Sequence, residues 1–517
     1  MTWIVSSSPR GLVLGCALTL AACSDPPGTE SESGTESATE SQTSMTETDT
    51  ESETSEAPEY EPVLDDRPCG FSIPAGRSAD CYTLFVPLDR ADLEAGAVAL
   101  PVAVLHPAGE ATRPPVVYLH GGPGGEAFDY ADRWFSQPLS EDGDVIVFDQ
   151  RGSGQAVPSL DCGEIEDAWY AVFETVAPPA AEIEILRQAY TDCRARLGAQ
   201  TDLDQFDTEA VADDVEDLRR ALGLETWSLY GVSYGTRVAL AVMRRHGDAV
   251  RNVVLDSVYP PELGGEGWML DSIETALQRL IEGCLAEAGC GATFPDLATD
   301  LETALANLDA MPYTLGVEDD GGVVHELSLT GADFYAGMFN ALYDVDLIPL
   351  VPFLIFSAAN GDYSFLVDLA EQSIPALTSS YEGARLSIDC ADGGALIDAG
   401  GLASTIDDYP SFSTMFGAYA PPFCELWGVE AVPEAFLDPV VSEIPTLLLA
   451  GEYDPVTPVS QSELALDGLG NGELYVFPGI GHGVSFDSDC GAQMTRAFAR
   501  DSSVDPSCWA GLSETTF

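Results

Sequence analysis

Apolar residues in this chain fall into short runs separated by acidic and turn-forming stretches. Thr83–Leu88, Val98–His106, Val116–Leu119, Val145–Asp149, Trp227–Tyr230, Val253–Asp256, Thr446–Ala450 and Leu474–Phe477 have strand length and are mostly rich in Val and Leu. Between the early and the late runs the period changes to that of a helix. In Thr208–Leu222, Val211, Val215, Leu218 and Leu222 recur among acids. Strands alternating with helices predict a mostly parallel sheet with helices on both faces, an α/β fold. Asp256 and Thr446 are separated by 189 residues. That is far longer than one crossover helix. The interval holds helical patterns at Ser272–Ala288, Leu301–Leu308 and Phe365–Ile374. It predicts an inserted, largely helical cap over 258–440, between a first core part at 61–257 and a second at 441–517. Such a cap excludes water and selects substrates by size.

The start of the chain follows a different pattern. Met1–Arg10 carries one positive charge, and Gly11–Ala22 is a 12-residue apolar stretch. This is too short for a membrane span and suits the hydrophobic part of a signal peptide over 1–22. The stretch ends Leu20-Ala21-Ala22-Cys23, which resembles the bacterial lipobox. The resemblance implies cleavage before Cys23 and lipidation of Cys23, with several acyl chains giving a stable anchor. The expected location is the cell envelope, outer membrane or surface. A plain signal peptide cut nearby is the alternative. Residues 24–60 are rich in Ser, Thr and Glu, with 11 acids and no base. Such a tract builds no core. Residues 23–60 are expected to be a disordered tether, and about 37 flexible residues span roughly 35 Å.

Charge narrows the partners. All 20 basic residues are arginines, against 86 acids, for a formal net charge of −66. This excludes nucleic acid and anionic membrane surfaces as partners. It leaves a strongly solvated surface, with steering of cationic substrates as the sharper alternative. Twelve cysteines fit an exported, oxidised protein. Cys16 leaves with the signal and Cys23 is acylated, so ten remain. Ten cysteines allow on the order of a thousand connectivities. Sequence neighbours are the natural pairs: Cys69–Cys81, Cys162–Cys193, Cys284–Cys290, Cys390–Cys424 and Cys490–Cys508. No C-x-x-C or Cys/His cluster is present, so neither a metal nor a cofactor is expected.

The chemistry centres on Ser233. Leu229-Tyr230-Gly231-Val232-Ser233-Tyr234-Gly235 is a strand-like run ending in G-x-S-x-G, followed by a helical stretch. This is the strand–turn–helix signature of an exposed nucleophilic serine. The accompanying order is serine, acid, histidine. Of the three histidines after Ser233, His246 sits at an expected helix end and His325 has no motif. His482 follows the last strand, in Pro478-Gly479-Ile480-Gly481-His482-Gly483, and is the expected general base. Asp454, in the loop after Thr446–Ala450, is the expected acid, with Glu452 as its alternative. Val116–Leu119 runs into His120-Gly121-Gly122-Pro123-Gly124-Gly125. The amides of Gly122 and Tyr234 are the expected oxyanion donors. His120 is expected to prop this loop.

Three motifs together resemble the prolyl aminopeptidase and tripeptidyl aminopeptidase family of α/β-hydrolases. They are His120–Gly125, Asp149-Gln150-Arg151-Gly152-Ser153-Gly154 and Gly231–Thr236. The segments Leu447–Val459, Asp389–Asp392 and Cys424–Trp427, with His482 and the late cysteines, are similar to the C-terminal region of the tripeptidyl branch. The resemblance implies the α/β-hydrolase fold and cleavage of short peptides from a free N-terminus. It also implies cap carboxylates that receive the substrate ammonium, with Asp392 the first candidate. A carboxylesterase with the same triad is the nearest alternative. A catalytically silent surface-binding protein on the same scaffold is the other. The oligomeric state stays open.

Overall fold

The structure is a computed structural model. It describes residues 60–175, 179–263, 267–318, 322–367, 369–370, 381–393, 423–513 and 517. The expected signal peptide, Cys23 and nearly all of the tether therefore lie outside the described residues. Eleven strands form among them. They are β1 (Val63–Asp66), β2 (Ser78–Pro87), β3 (Ala97–His106), β4 (Val116–Leu119), β5 (Val145–Phe148) and β6 (Trp227–Val232). The chain continues with β7 (Val250–Asp256), β8 (Tyr313–Glu318), β9 (Val324–Leu329), β10 (Thr446–Gly451) and β11 (Gly472–Phe477).

Nine strands make one sheet in the order β1-β2-β3-β5-β4-β6-β7-β10-β11. The β1–β2, β2–β3 and β3–β5 pairs are antiparallel, and the rest are parallel. β4, β5, β6 and β10 are buried at every position, which explains their unbroken apolar sequences. A parallel strand with both faces covered needs apolar residues on both. Leu119 pairs with Gly231, Val232 with Asp256, and Gly451 with Phe477. The carboxyl ends of the parallel strands therefore line up on one edge. In an open α/β sheet this is the edge that carries chemistry.

The long insert is largely helical but contains the β8–β9 hairpin, which the sequence reading did not anticipate. Its helices include Gly267–Ala286, Leu297–Ala310, Gly331–Ala341 and Val351–Ala359. The expected Phe365–Ile374 helix runs largely outside the described residues. Leu280, Leu305, Phe334, Met338 and Ile355 form a core of their own with the hairpin. The later part of the insert behaves differently. Leu386 and Ile388 of the helix Glu382–Asp392, and Trp427, pack into the core of the sheet. Five disulfides join the nearest-neighbour pairs expected from the sequence. One of them, Cys390–Cys424, ties Glu382–Asp392 to the short helix Phe423–Trp427.

Candidate active site

Ser233 stands in the sharp turn between β6 and the helix Tyr234–His246, with φ 57° and ψ −127°. A positive φ is uncommon for a residue with a side chain and marks a conformation held by its surroundings. The Ser233 amide donates to the Asp256 carbonyl at 3.0 Å, and the Thr236 amide donates back to the Ser233 carbonyl at 2.8 Å. The flanking glycines are sterically required. A Cβ on Gly231 would sit 2.3 Å from the Gly235 oxygen, and one on Gly235 would sit 1.9 Å from the Leu119 oxygen. Ser233 is the N-cap of the helix, yet its side chain makes no capping bond, so Oγ is not spent on the helix.

His482 lies in the loop after β11. Its Nδ1 is 2.9 Å from Asp454 Oδ2 and 3.0 Å from Oδ1. Asp454, in the loop after β10, also accepts the Val456 and Thr457 amides at 2.9 and 2.8 Å and the Thr457 hydroxyl at 2.7 Å. These bonds aim the carboxylate. Burial opposes its ionisation, but the facing imidazole and the Thr457 bonds hold its pKa below the ordinary value. Burial alone would push the His482 pKa down. Asp454, Asp256 and Asp487 more than reverse this, so it stands above the ordinary histidine value. The ring is enclosed, with Tyr343 from the insert packed edge-on at 5.1 Å. Its other nitrogen, Nε2, is buried and has no hydrogen-bond partner among the described residues. Glu452, the alternative acid, accepts the Gly479 amide at 2.9 Å and so braces the same loop from its other side.

The glycine loop after β4 rests on Ser233. A Cβ on Gly121 would meet Ser233 Cβ at 3.0 Å and the Val232 oxygen at 3.2 Å. Gly122 has φ 129°, and a side chain there would strike the amides of Gly124 and Gly125 at 2.7 Å. The Tyr234 amide is the first of its helix and so lacks an intrahelical acceptor. His120 braces the loop, as expected, through Nδ1 and the Gly121 oxygen at 3.0 Å, and burial lowers its pKa. Gln150 donates to the His120 carbonyl at 2.9 Å. Asp149 accepts the amides of Ala127, Phe128 and Gln155 at 2.7 to 2.8 Å. β5 ends at Phe148, one residue earlier than the sequence suggests, and the Asp149 carboxylate just past it fixes the chain that leaves the glycine loop.

Asp392, the expected partner of the substrate ammonium, is 4 % exposed and engaged by the protein itself. Its oxygens accept the Thr208 amide at 3.2 Å and the Thr208 hydroxyl at 2.5 Å. Arg237 Nε lies 3.2 Å away, close enough for an ion pair but without hydrogen-bond alignment. The Thr208 hydroxyl also meets the Tyr234 hydroxyl at 2.8 Å. Asp392 therefore joins the insert to the helix that follows Ser233. Burial raises its pKa to about 6. The remaining three histidines have ordinary structural partners. His106 meets Asp144 at 2.9 Å, His246 meets Asp213 at 2.8 Å, and His325 meets Glu174 at 2.7 Å while stacking on Tyr170.

Sequence reasoning quoted Asp149 only as part of a motif, without a role, and assigned none to Thr457 or Asp256. The available signal was position: each is a polar residue at or just past the carboxyl end of a buried strand. Residues 114–277 match the model of the alpha/beta hydrolase fold, and residues 410–508 match that of the TAP-like proteins. Serine protease Hip1 of Mycobacterium tuberculosis is 25% identical over 483 residues, covering 87% of this chain and 90% of that protein. Carboxylesterase B of the same organism is 24% identical over 440 residues, covering 80% and 82%. The crystal structure of the Mycobacterium smegmatis proline iminopeptidase is 15% identical. It covers 81% of this chain and 97% of that one, with a TM-score of 0.38. By its sheet and its two matched regions the chain has the α/β-hydrolase fold with a segment similar to the TAP-like proteins, and it resembles the prolyl and tripeptidyl aminopeptidases of that fold.

Proposed function

We propose that this α/β-hydrolase is an exported, lipid-anchored serine peptidase that removes residues from the free N-terminus of short peptides. The observation that carries the reading is the placement of Ser233, Asp454 and His482. All three follow carboxyl ends of parallel strands, with Asp454 on Nδ1 and with Nε2 left without a partner among the described residues. In this reading Ser233 Oγ attacks the scissile carbonyl and passes its proton to His482 Nε2. Asp454 holds the imidazole in the tautomer with Nε2 free and stabilises the imidazolium that forms. The amides of Gly122 and Tyr234 face the developing oxyanion, a contribution of about 3–4 kcal/mol for a single donor. The proton then goes to the leaving amine. Water, activated by the same histidine, releases the acyl-enzyme. Five disulfides support an oxidising destination.

Likeness to a carboxylesterase favours one second reading, an esterase with the same triad. Matched chromogenic peptides with a free and an acetylated α-amine, beside a short-chain ester, separate the two. An exopeptidase must partner the substrate ammonium in a partly dry pocket, because an unpaired buried charge is costly. The free peptide is expected to turn over much faster than the acetylated one. Equal rates refute the aminopeptidase reading, and ester turnover without amide cleavage installs the esterase. Fractionation of cells making wild type and Cys23→Ser tests the anchor, which fails if both are found equally in the membrane.

A further inference from the structure

Behind His482 lies a second carboxylate that the triad does not use. Asp256 ends β7 and is fully buried. Its Oδ1 accepts the Val484 amide at 2.9 Å, and its Oδ2 accepts the Ser485 amide at 2.8 Å and the Ser485 hydroxyl. The next residue completes the grip, since Ser257 Oγ accepts the Gly483 amide at 2.8 Å. Three consecutive amides directly after His482 are thus held by two consecutive side chains. The Asp256 carbonyl meanwhile accepts the Ser233 amide at 3.0 Å, and the Ser257 amide donates to Leu449 of β10 at 2.9 Å. Ser257 has φ 59°, a strained value for serine that lets the pair face both ways.

We propose that Asp256 and Ser257 are positioning residues that set the register between Ser233 and the His482 loop. This rests on the triad reading given above. The bracket has a physical purpose. Ser233 and His482 come from strands separated by two others in the sheet, β7 and β10. Transfer of a proton between them requires placement to within a fraction of an ångström. A carboxylate that accepts backbone amides fixes a loop more firmly than a neutral acceptor, because charge-assisted bonds are about twice as strong. The Asp256 charge also favours the protonated ring. The charged groups acting on that ring are Asp454 from the β10 loop, Asp256 from β7 and Asp487 from its own segment, with Tyr343 packed on it from the insert.

The test uses the full chain and a fluorophosphonate probe, whose rate of attachment to Ser233 is followed against pH. Asp256→Asn keeps the volume but removes the charge and one acceptor. It is expected to slow labelling about 10- to 100-fold and to move the acidic midpoint to lower pH. Ser257→Ala removes the Gly483 acceptor but no charge. It is expected to slow labelling several-fold with the midpoint in place, a split that a general loss of stability would not produce. A folded Asp256→Asn with wild-type rate and midpoint overturns the proposal. If Asp256→Asn fails to fold, a Ser257→Ala protein that labels at the wild-type rate overturns it. A wild type that resists the probe overturns the triad reading and, with it, the bracket's catalytic purpose. A labelled wild type beside unaltered variants overturns the bracket alone.

Discussion

Ser233 adopts a backbone conformation that serine resists, and four neighbours keep it there. Gly231 and Gly235 permit the close passage of helix over strand, while Asp256 and Thr236 hold its amide and carbonyl. With the nucleophile fixed in this way, its removal is expected to cost activity and leave the fold. Ser233→Ala and His482→Ala are each expected to abolish turnover while keeping the wild-type circular dichroism spectrum. Members of a cooperating triad cost about as much singly as together. Asp454→Asn is expected to lose about 10⁴-fold in kcat, because an amide can support the wrong tautomer. Glu452→Gln is expected to be mild, since an amide oxygen still accepts from Gly479. A crippled Glu452→Gln beside an active Asp454→Asn would reverse the assignment of the acid.

At the scale of elements, the helices Glu382–Asp392 and Tyr234–His246 are joined by a buried polar chain: Tyr234, Thr208, Asp392 and Arg237. Arg237 is 1 % exposed. Asp392→Ala would remove the carboxylate partner of that guanidinium, leaving it only carbonyl and ring contacts, and breaking a buried pair from one side costs about 3–5 kcal/mol. We expect a marked fall in the urea midpoint with no change in the ratio of rates on free and acetylated peptides. A stable Asp392→Ala protein that loses its preference for the free amine would restore Asp392 as the ammonium site. The same helix shows where sequence reading succeeds and where it stops. The buried strands of the sheet were legible because parallel strands need continuous apolar runs. Ser233, His482 and the glycine loop were legible because strand, turn and helix signals coincide there. The β8–β9 hairpin was not, because the Gly-rich acidic sequence beside its two short strands makes them look like linker. The buried partners of Asp392 were not legible, because a carboxylate in a cap looks the same in sequence whether it faces substrate or a buried arginine. Asp149 and Asp256 were passed over because an aspartate ending a strand is ordinarily a turn residue.

The whole molecule carries 86 acids, and several are buried where ionisation is disfavoured. Asp149, Asp256 and Asp392 are each pushed to about 6 by burial, against an ordinary value of 3.8. Between these limits the folded protein keeps protons that the unfolded chain has released. Stability contributed by these groups is therefore lost as pH rises through that window. His482, raised above its ordinary value, acts in the same direction at slightly higher pH. Self-repulsion among the remaining acids adds to the trend and is screened by salt. The melting temperature is expected to be higher at pH 5.5 than at 7.5, and to rise with sodium chloride at 7.5. A melting temperature that falls over the same acidification would contradict the account.

The seam between β7 and β10 has a consequence for the order of assembly. β7 is the last strand laid down before the insert, and β10 is the first after it; they zip together with Val253 opposite Thr446. Ser233 thus leaves the ribosome 249 positions ahead of His482. In the proposed reading, the newborn chain holds its nucleophile without its base until the final strands close that seam. Activity is then expected to appear only after β10 and β11 have joined the sheet.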